Sequence, residues 1–353
     1  HTRSFHVTGV QTCAPDLVSQ PTATILAQRG ILDYDTAREF FNPSLSALHS
    51  PFLMRDMQKA VARITEALTN DERILVYGDY DVDGTTSVAL FFGFLDSFYP
   101  NCDFYIPDRY SEGYGVSKQG VDWAIENNYS LIVSLDCGIR SVDLVIYAEE
   151  NGVDFIICDH HRPGSILPPA IAVLDPKRDD CDYPFKELPG CGIGFKFVQA
   201  IIQHNDLSID PFQYLDLVAV SIASDIVPIT GENRILAFIG IERLNASARP
   251  GLRALMNLAG IIKNASIEGI VFGLAPRINA AGRISHAKMA VNLLLAESEE
   301  EAYHFGEKLN IKNNKRRDVD TKITSQALEM IASDQQLTSA KTTVLFKEDW
   351  HKG

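Results

Sequence analysis

RILVYGDYDVDGTTS, residues 73–87, decides how this chain is read. Arg73 to Tyr77 has the look of a short buried strand, apolar after its first residue. Gly78 to Gly84 is a turn that carries three aspartates. Thr85 to Phe98 then reads as a helix. The same alternation continues outward. DFYIP (103–107), SLIVSLD (130–136), DFIICD (154–159) and IAVLD (171–175) read as strands, with helices expected near Lys118–Glu126 and over Val142–Glu150. Strands that alternate with helices of this length make a parallel sheet with helices on its faces. Such a sheet binds its ligand beyond the carboxyl ends of the strands.

Further out, helices dominate. Residues 1–70 read helical over Pro21–Arg29, Asp35–Phe41 and Met57–Leu68. After residue 190 come Phe195–Gln203, Pro211–Ser221 and Arg234–Leu244. Residues 297–335 are polar, charged and almost free of breakers, as in a solvated helix, whole or once broken, that bridges domains. TTVLF (342–346) is expected to open one more strand. The fold class is therefore α/β, a doubly wound, mainly parallel sheet. Its expected parts are a helical N-terminal extension (1–50), a catalytic domain (51–296), a long connector helix (297–335) and the start of a truncated second domain (336–353).

Composition narrows the function. Apolar residues are 46% and charged residues 22% of 353, a globular balance that excludes wholesale disorder. No run approaches ~18 uncharged apolar residues, so no membrane helix is expected. The net charge of −14 argues against a general nucleic-acid binder. It is compatible with a local basic groove, or with acidic residues answered by metal ions. The six cysteines, at 13, 102, 137, 158, 181 and 191, form no C-x-x-C pair and read as thiols of a reducing cytoplasm.

The carboxylates fall where a doubly wound sheet puts its site. One strand runs into Asp79, Asp81 and Asp83, the next into Asp136, and a third into Asp159-His160-His161. Asp225 ends the apolar run LDLVAVSIAS (215–224). A single Asp at a strand end is ordinarily a helix cap or turn former, and a His pair is ordinarily structural. Their conjunction is different. Gathered carboxylates raise one another's pKa, and a divalent cation removes that cost. Carboxylates with one or two imidazoles suit Mn²⁺ or Mg²⁺ better than a thiolate-preferring zinc site. An EF-hand loop would need an acid where Leu90 stands, so that reading fails. Asp81-Val82-Asp83-Gly84-Thr85 also resembles the haloacid-dehalogenase phosphatases, but that family's remaining motifs are missing and Asp-His-His goes unused.

GDYDVDGTTS (78–87), SLDCG (134–138), DHH (159–161) and SDIVP (224–228) resemble, in order, the four motifs of the DHH phosphoesterase superfamily. Within it, LAQRGI (26–31), FFNP (40–43), RYSEGYG (109–115), GCGIG (190–194), PRINAAGR (276–283) and WHKG (350–353) are similar to the RecJ family of exonucleases. The resemblance spans essentially the whole chain. It implies a two-metal centre with Mn²⁺ or Mg²⁺. Asp136 would bridge the ions, Asp81 and Asp83 would each take one, and His160 and Asp225 would complete the second site. Asp79 is a further ligand, an acceptor just behind the ligands, or a helix-capping group. Asp159 would orient a histidine, and His161 would face the substrate phosphate.

The resemblance also assigns Arg109, with Gly113 and Tyr114 in its turn, and Arg277 or Arg283, with Asn279 between them, to the phosphates at a 5′ end. A structural ion pair is the alternative for each arginine. His286 is either a phosphate neighbour or a surface residue. Tyr110 and Tyr114 either stack on bases or pack in the loop. Lys312, Lys315, Arg316, Arg317 and Lys322 either touch the nucleic-acid backbone or form a solvated face. The implied activity is 5′→3′ hydrolysis of single-stranded DNA to mononucleotides in repair and recombination. The implied setting is a cytoplasmic monomer working with a single-strand-binding protein and a helicase, with no membrane. Two rival readings are a DHH phosphoesterase of small phosphoesters or short oligonucleotides, and a non-catalytic DNA-binding relative.

Overall fold

The computed structural model describes residues 19–284 and 287–350, with the side chains of Arg283 and Ile284 excepted. The chain divides after Leu48 into two compact units. The described part of the first holds helices α1 (Gln20–Gln28) and α2 (Tyr34–Phe41). The second unit holds everything discussed below.

Its centre is a five-stranded, wholly parallel sheet in the order β2-β1-β3-β4-β5. The strands are β1 (Ile74–Gly78), β2 (Cys102–Tyr105), β3 (Leu131–Leu135), β4 (Asp154–Cys158) and β5 (Ala172–Leu174). Every residue of β1 and β3 is buried, as expected of central strands covered on both faces. On one face Leu75, Tyr77, Ile132, Phe155 and Ile157 pack in one core with Val121 and Ala124 of α5 (Lys118–Glu126), and with Val145 and Ala148 of α6 (Val142–Glu150). The opposite face is covered by α3 (Met57–Thr69), α4 (Val82–Asp96) and α7 (Gly190–Asn205).

The chain leaves β1 for β2 on one side and then returns to β3 on the other. The crevice between β1 and β3 is thus the topological switch point, where open α/β sheets bind their ligands. Register sharpens this. Gly78 pairs with Leu135, Leu135 with Cys158, and Cys158 with Leu174. The next residue on each strand is an aspartate, so Asp79, Asp136, Asp159 and Asp175 form a row along the carboxyl edge.

The remainder is helical: α8 (Leu215–Ser224), α9 (Gly231–Ser247), α10 (Pro250–Leu258), a π-helical turn at Ile270–Leu274, α11 (Ala275–Ile284), α12 (Lys288–Leu295), α13 (Glu299–Ser333) and α14 (Gln335–Ser339). Of the helical stretch expected over 297–335, α13 forms residues 299–333 without a break. Its first turn is capped by Ser298, which accepts from Glu301 N–H, and it ends at Asp334. Ala302, Gly306, Leu309 and Asn313 form its buried stripe at helical spacing.

Several expectations need correction. The helices expected from Phe195 and Arg234 start earlier, at Gly190 and Gly231. The first helix after β1 starts at Val82, three residues early, because Asp81 caps it by accepting from Gly84 N–H at 2.9 Å. The strand expected at 342–346 does not form: that stretch pairs with no strand among the described residues, and Val344 and Phe346 stay 95% and 81% exposed. Apolar content alone makes no strand without an edge to pair with. Among the described residues, no helix is long and apolar enough to cross a membrane.

Candidate metal centre

Asp79, Asp136 and Asp159 enter from the ends of β1, β3 and β4. Asp81 and Asp83 enter from the start of α4, and Asp225 from the end of α8. Two close approaches make this possible. A Cβ on Gly84 would sit 2.4 Å from the Asp79 carbonyl oxygen, and one on Gly190 would sit 2.6 Å from Asp136 Cβ. Glycine at these positions lets the first turns of α4 and α7 close on the strand ends. Asp136 itself holds φ +61°, a left-handed backbone that Asp tolerates at some cost.

Three ligand-forming groups result: Asp79 with Asp81 and Asp136; Asp83 with His160 and Asp225; and Asp136 with His160 and His161. In each, one donor atom per residue lies within 4.8 Å of the others. Asp136 belongs to two of the groups. His160 Nε2 lies 3.1 Å from Asp136 Oδ1 and 3.6 Å from both Asp83 Oδ2 and Asp225 Oδ2.

The electrostatics call for a cation. Both carboxylate oxygens of Asp136 are buried without a hydrogen bond, as are Asp79 Oδ2, Asp225 Oδ2 and His160 Nδ1. Buried polar atoms are normally paired, and buried charge is normally answered. Burial, then the Asp81 charge, pushes Asp79 up to about 7. Burial, then Asp83, raises Asp81 and Asp225, and lifts Asp136 well above the carboxylate range. Asp225 also sits at the negative end of α8, which disfavours a carboxylate further. The donor set of five carboxylates and an imidazole matches a hard or borderline divalent ion.

Asp83 and Asp159 are held differently. Asp83 Oδ2 accepts from Gly190 N–H (2.6 Å), and Oδ1 accepts from Cys191 N–H (2.9 Å) and Ser221 Oγ (2.7 Å). Helix α7 thus points its N-terminal amides at a carboxylate. Asp159 Oδ1 accepts from the amides of His160 (2.7 Å) and His161 (3.0 Å) and from His161 Nδ1 (2.7 Å), and Oδ2 accepts from Ile139 N–H (2.9 Å). Burial raises Asp159, but the His161 ring and these amides together hold it below its usual value. The same bond raises His161. Asp159 is in none of the ligand-forming groups; it orients His161.

The expected substrate residues divide. Tyr114 places its hydroxyl 3.1 Å from His161 Nε2, and its ring meets Tyr80 edge-on. Gly113 precedes it with φ +94°. The Arg109 guanidinium lies 5.4 Å from the centre of the Tyr80 ring. This turn therefore joins the centre through Tyr80 and His161. On α11, Gly282 backs onto Tyr80, where a Cβ would lie 2.8 Å from the Tyr80 carbonyl oxygen. Asn279, one turn earlier, is partly exposed. Arg277 looks elsewhere. It donates to Gly273 O (2.6 Å), Leu258 O (2.9 Å) and Asn310 Oδ1 (3.0 Å), fastening α11 to α10 and α13. The side chain of Arg283, with His286, lies outside the described residues.

Sequence reasoning missed two features. The clamp on Asp83 joins residues more than a hundred positions apart and leaves no local signal. Asp175 did leave one, since IAVLD ends in Asp as SLIVSLD and DFIICD do. It is fully buried; Oδ1 accepts from Lys177 N–H (2.7 Å), Oδ2 has no partner, and burial pushes it up to about 7.

Comparison with known proteins agrees with this geometry. Residues 73–222 match the model of the DHH family, N-terminal domain. The single-stranded-DNA-specific exonuclease RecJ of Bacillus subtilis (strain 168) is 40% identical over 332 residues, covering 94% of this chain. The chain spans only 41% of that relative's length. A crystal structure of exonuclease RecJ bound to manganese superposes with a TM-score of 0.78 at 33% identity, covering 88% of this chain and 76% of that one. RecJ from Thermus thermophilus in complex with Mn²⁺ gives 0.79 at 30% identity, over 94% of this chain and 46% of that one. By its sheet, its four acidic motifs and these likenesses, the chain belongs to the RecJ family of DHH proteins.

Proposed function

We propose that this chain is the catalytic core of a metal-dependent phosphodiesterase that removes mononucleotides from the 5′ end of single-stranded DNA. One observation carries the reading: Asp136, whose two buried oxygens accept no hydrogen bond, belongs to two of the ligand-forming groups and lies 3.1 Å from His160, which belongs to the third. Asp79, Asp81 and Asp136 would hold one divalent ion, and Asp83, His160 and Asp225 the other, with Asp136 between them. Mn²⁺ or Mg²⁺ there supplies an acidified water and neutralises phosphoryl charge. The chain's own residues do the rest. The α7 amides and Ser221 fix Asp83. Asp159 fixes the His161 ring through Nδ1, which leaves Nε2 beside the Tyr114 hydroxyl, where the pair would meet the substrate phosphate. Arg109, Gly113 and Tyr114 in the turn after β2, and Asn279 on α11, would meet the approaching strand; Arg283 joins them by the resemblance alone. Arg277 supports that wall by fastening it. No covalent intermediate is involved.

The proposal extends to setting. The chain acts in the cytoplasm, as a monomer, on single strands exposed during repair and recombination. A single-strand-binding protein and a helicase are its working partners. Five described cysteines are free thiols, four of them buried, in keeping with a reducing compartment.

End-labelled single- and double-stranded oligonucleotides, incubated with Mn²⁺, Mg²⁺ or EDTA, test the activity, with Asp136→Ala alongside. Metal-dependent loss of nucleotides from the 5′ end of single strands only, abolished by the substitution, is the expected result. Hydrolysis of small phosphoesters but not DNA would move the chain to another DHH activity. DNA binding without hydrolysis of any substrate would mark it as non-catalytic.

A further inference from the structure

The carboxyl edge of the sheet continues past the metal centre into a second concavity. A groove of about 780 Å³ opens beside β4 and β5; of its eight lining residues four are basic and two, Asp179 and Glu187, acidic. In a chain with net charge −14 that is a local reversal of sign. Its walls come from the loops that build the centre. Arg162 follows His160 and His161 directly. Lys177 stands two residues beyond Asp175, in the turn that follows β5, the strand beside β4. Lys186 and Glu187 lie just before α7. Asn233 ties this last wall to the Asp225 loop by donating to both Glu187 O (2.6 Å) and Pro228 O (3.1 Å).

Not every cation here is available. Arg178 is spent on Asp56 (2.6 Å), Asp180 (2.8 Å) and Val173 O (2.7 Å), so it builds the floor. Lys186 donates to Cys181 O. Lys177 meets Glu187 at 3.5 Å with both side chains partly exposed, an ion pair that a phosphate can outcompete at little cost. Arg162 is exposed, and its carbonyl accepts from Arg140 Nε (3.0 Å), which brings a second guanidinium to the same lip.

The geometry points to a phosphate-binding groove for the nucleic-acid strand on the β5 side of the scissile bond, with Arg162 and Lys177 as its anchors. The inference rests on the phosphodiesterase reading above. With Arg109 and Tyr114 on the β2 side taking the terminal nucleotide, the strand crosses the metal centre and its continuing phosphates lie along Arg162 and Lys177. Backbone phosphates are the fitting ligand because the groove offers exposed cations and few apolar side chains.

The test is binding of a fluorescent oligo-dT, read by anisotropy in Mn²⁺ over a salt series. An Asp136→Ala background stops turnover. Adding Arg162→Glu and Lys177→Glu is expected to weaken binding on the order of tenfold at low salt, and to flatten the log–log salt slope by about 0.7 per lost contact. Arg162→Lys should largely restore it. In the otherwise native chain, the same two substitutions should raise KM more for longer oligonucleotides than for a dinucleotide. Unchanged affinity, slope and length dependence would overturn the groove. If the native chain binds oligo-dT through Arg162 and Lys177 yet cleaves nothing, the groove stands and the exonuclease reading falls.

Discussion

At the scale of single residues, the centre sorts its carboxylates by what they touch. Asp136 offers two unpartnered oxygens, whereas Asp83 already accepts three hydrogen bonds. Groups that orient a ligand from behind typically change metal affinity or activity by ~10–100-fold when removed. Ser221→Ala deletes one such bond without touching the ion. It should weaken Mn²⁺ binding by about that factor, measured by titration calorimetry, while the thermal midpoint barely moves. Unaltered affinity would show that the α7 amides suffice. Tyr114 separates two roles in the same way. Its hydroxyl meets His161, and the residue is 57% exposed. If the ring stacks on a base, Tyr114→Ala raises KM for oligonucleotides by the equivalent of ~1–3 kcal/mol, and Tyr114→Phe does not. A KM that rises equally in both would assign the effect to the hydroxyl.

At the scale of elements, β1, β3 and β4 were legible because each is a short apolar run that ends in acid. Their aspartates were legible for the same reason. The helix-borne parts were harder. Nothing in GCGIG announces that its first amides bind Asp83, and nothing in PRINAAGR separates Arg277 from Asn279. Helical periodicity does: Asn279 and Gly282 are one turn apart, on the side that meets Tyr80, whereas Arg277 turns toward α13. The Arg277 alternative of a structural contact is thus the one the fold displays. Elements are also joined by charge in the core. Lys196 of α7 is fully buried against Glu232 of α9 at 2.7 Å, and Glu232 also accepts from Tyr183 Oη (2.7 Å) and His49 N–H (3.0 Å). Lys196→Met leaves that carboxylate unanswered and should cost ~3–5 kcal/mol in urea unfolding. Adding Glu232→Gln should recover part of the loss. Equal stability of native and single variant would show that the pair contributes nothing.

At the scale of the whole molecule, the carboxyl edge stores unfavourable charge that a metal relieves, and pH exposes it. Asp79 is pushed up to about 7, and Asp81, Asp136 and Asp225 are raised as well, against ~3.9 for an unfolded Asp. The folded chain without metal therefore binds more protons than the unfolded chain between about pH 4 and about pH 7. Stability from these groups is fully present below the lower value and is lost as pH rises through the upper one. His161, raised by Asp159, acts in the same direction. Asp159, held low, acts oppositely, and its contribution is lost only on acidification below the unfolded value. In EDTA the thermal midpoint should accordingly fall between pH 5 and pH 8. Mn²⁺ binds the deprotonated carboxylates, so its stabilisation grows with pH and reaches ~2.7 kcal/mol at a hundred times its dissociation constant. Saturating Mn²⁺ should raise the midpoint most at pH 8 and flatten or reverse the slope seen in EDTA. Scanning calorimetry at both pH values, with and without the ion, reads all four numbers. A midpoint that rises from pH 5 to pH 8 in EDTA would mean that the acidic row is already neutralised from within, and the case for two bound ions would fail with it.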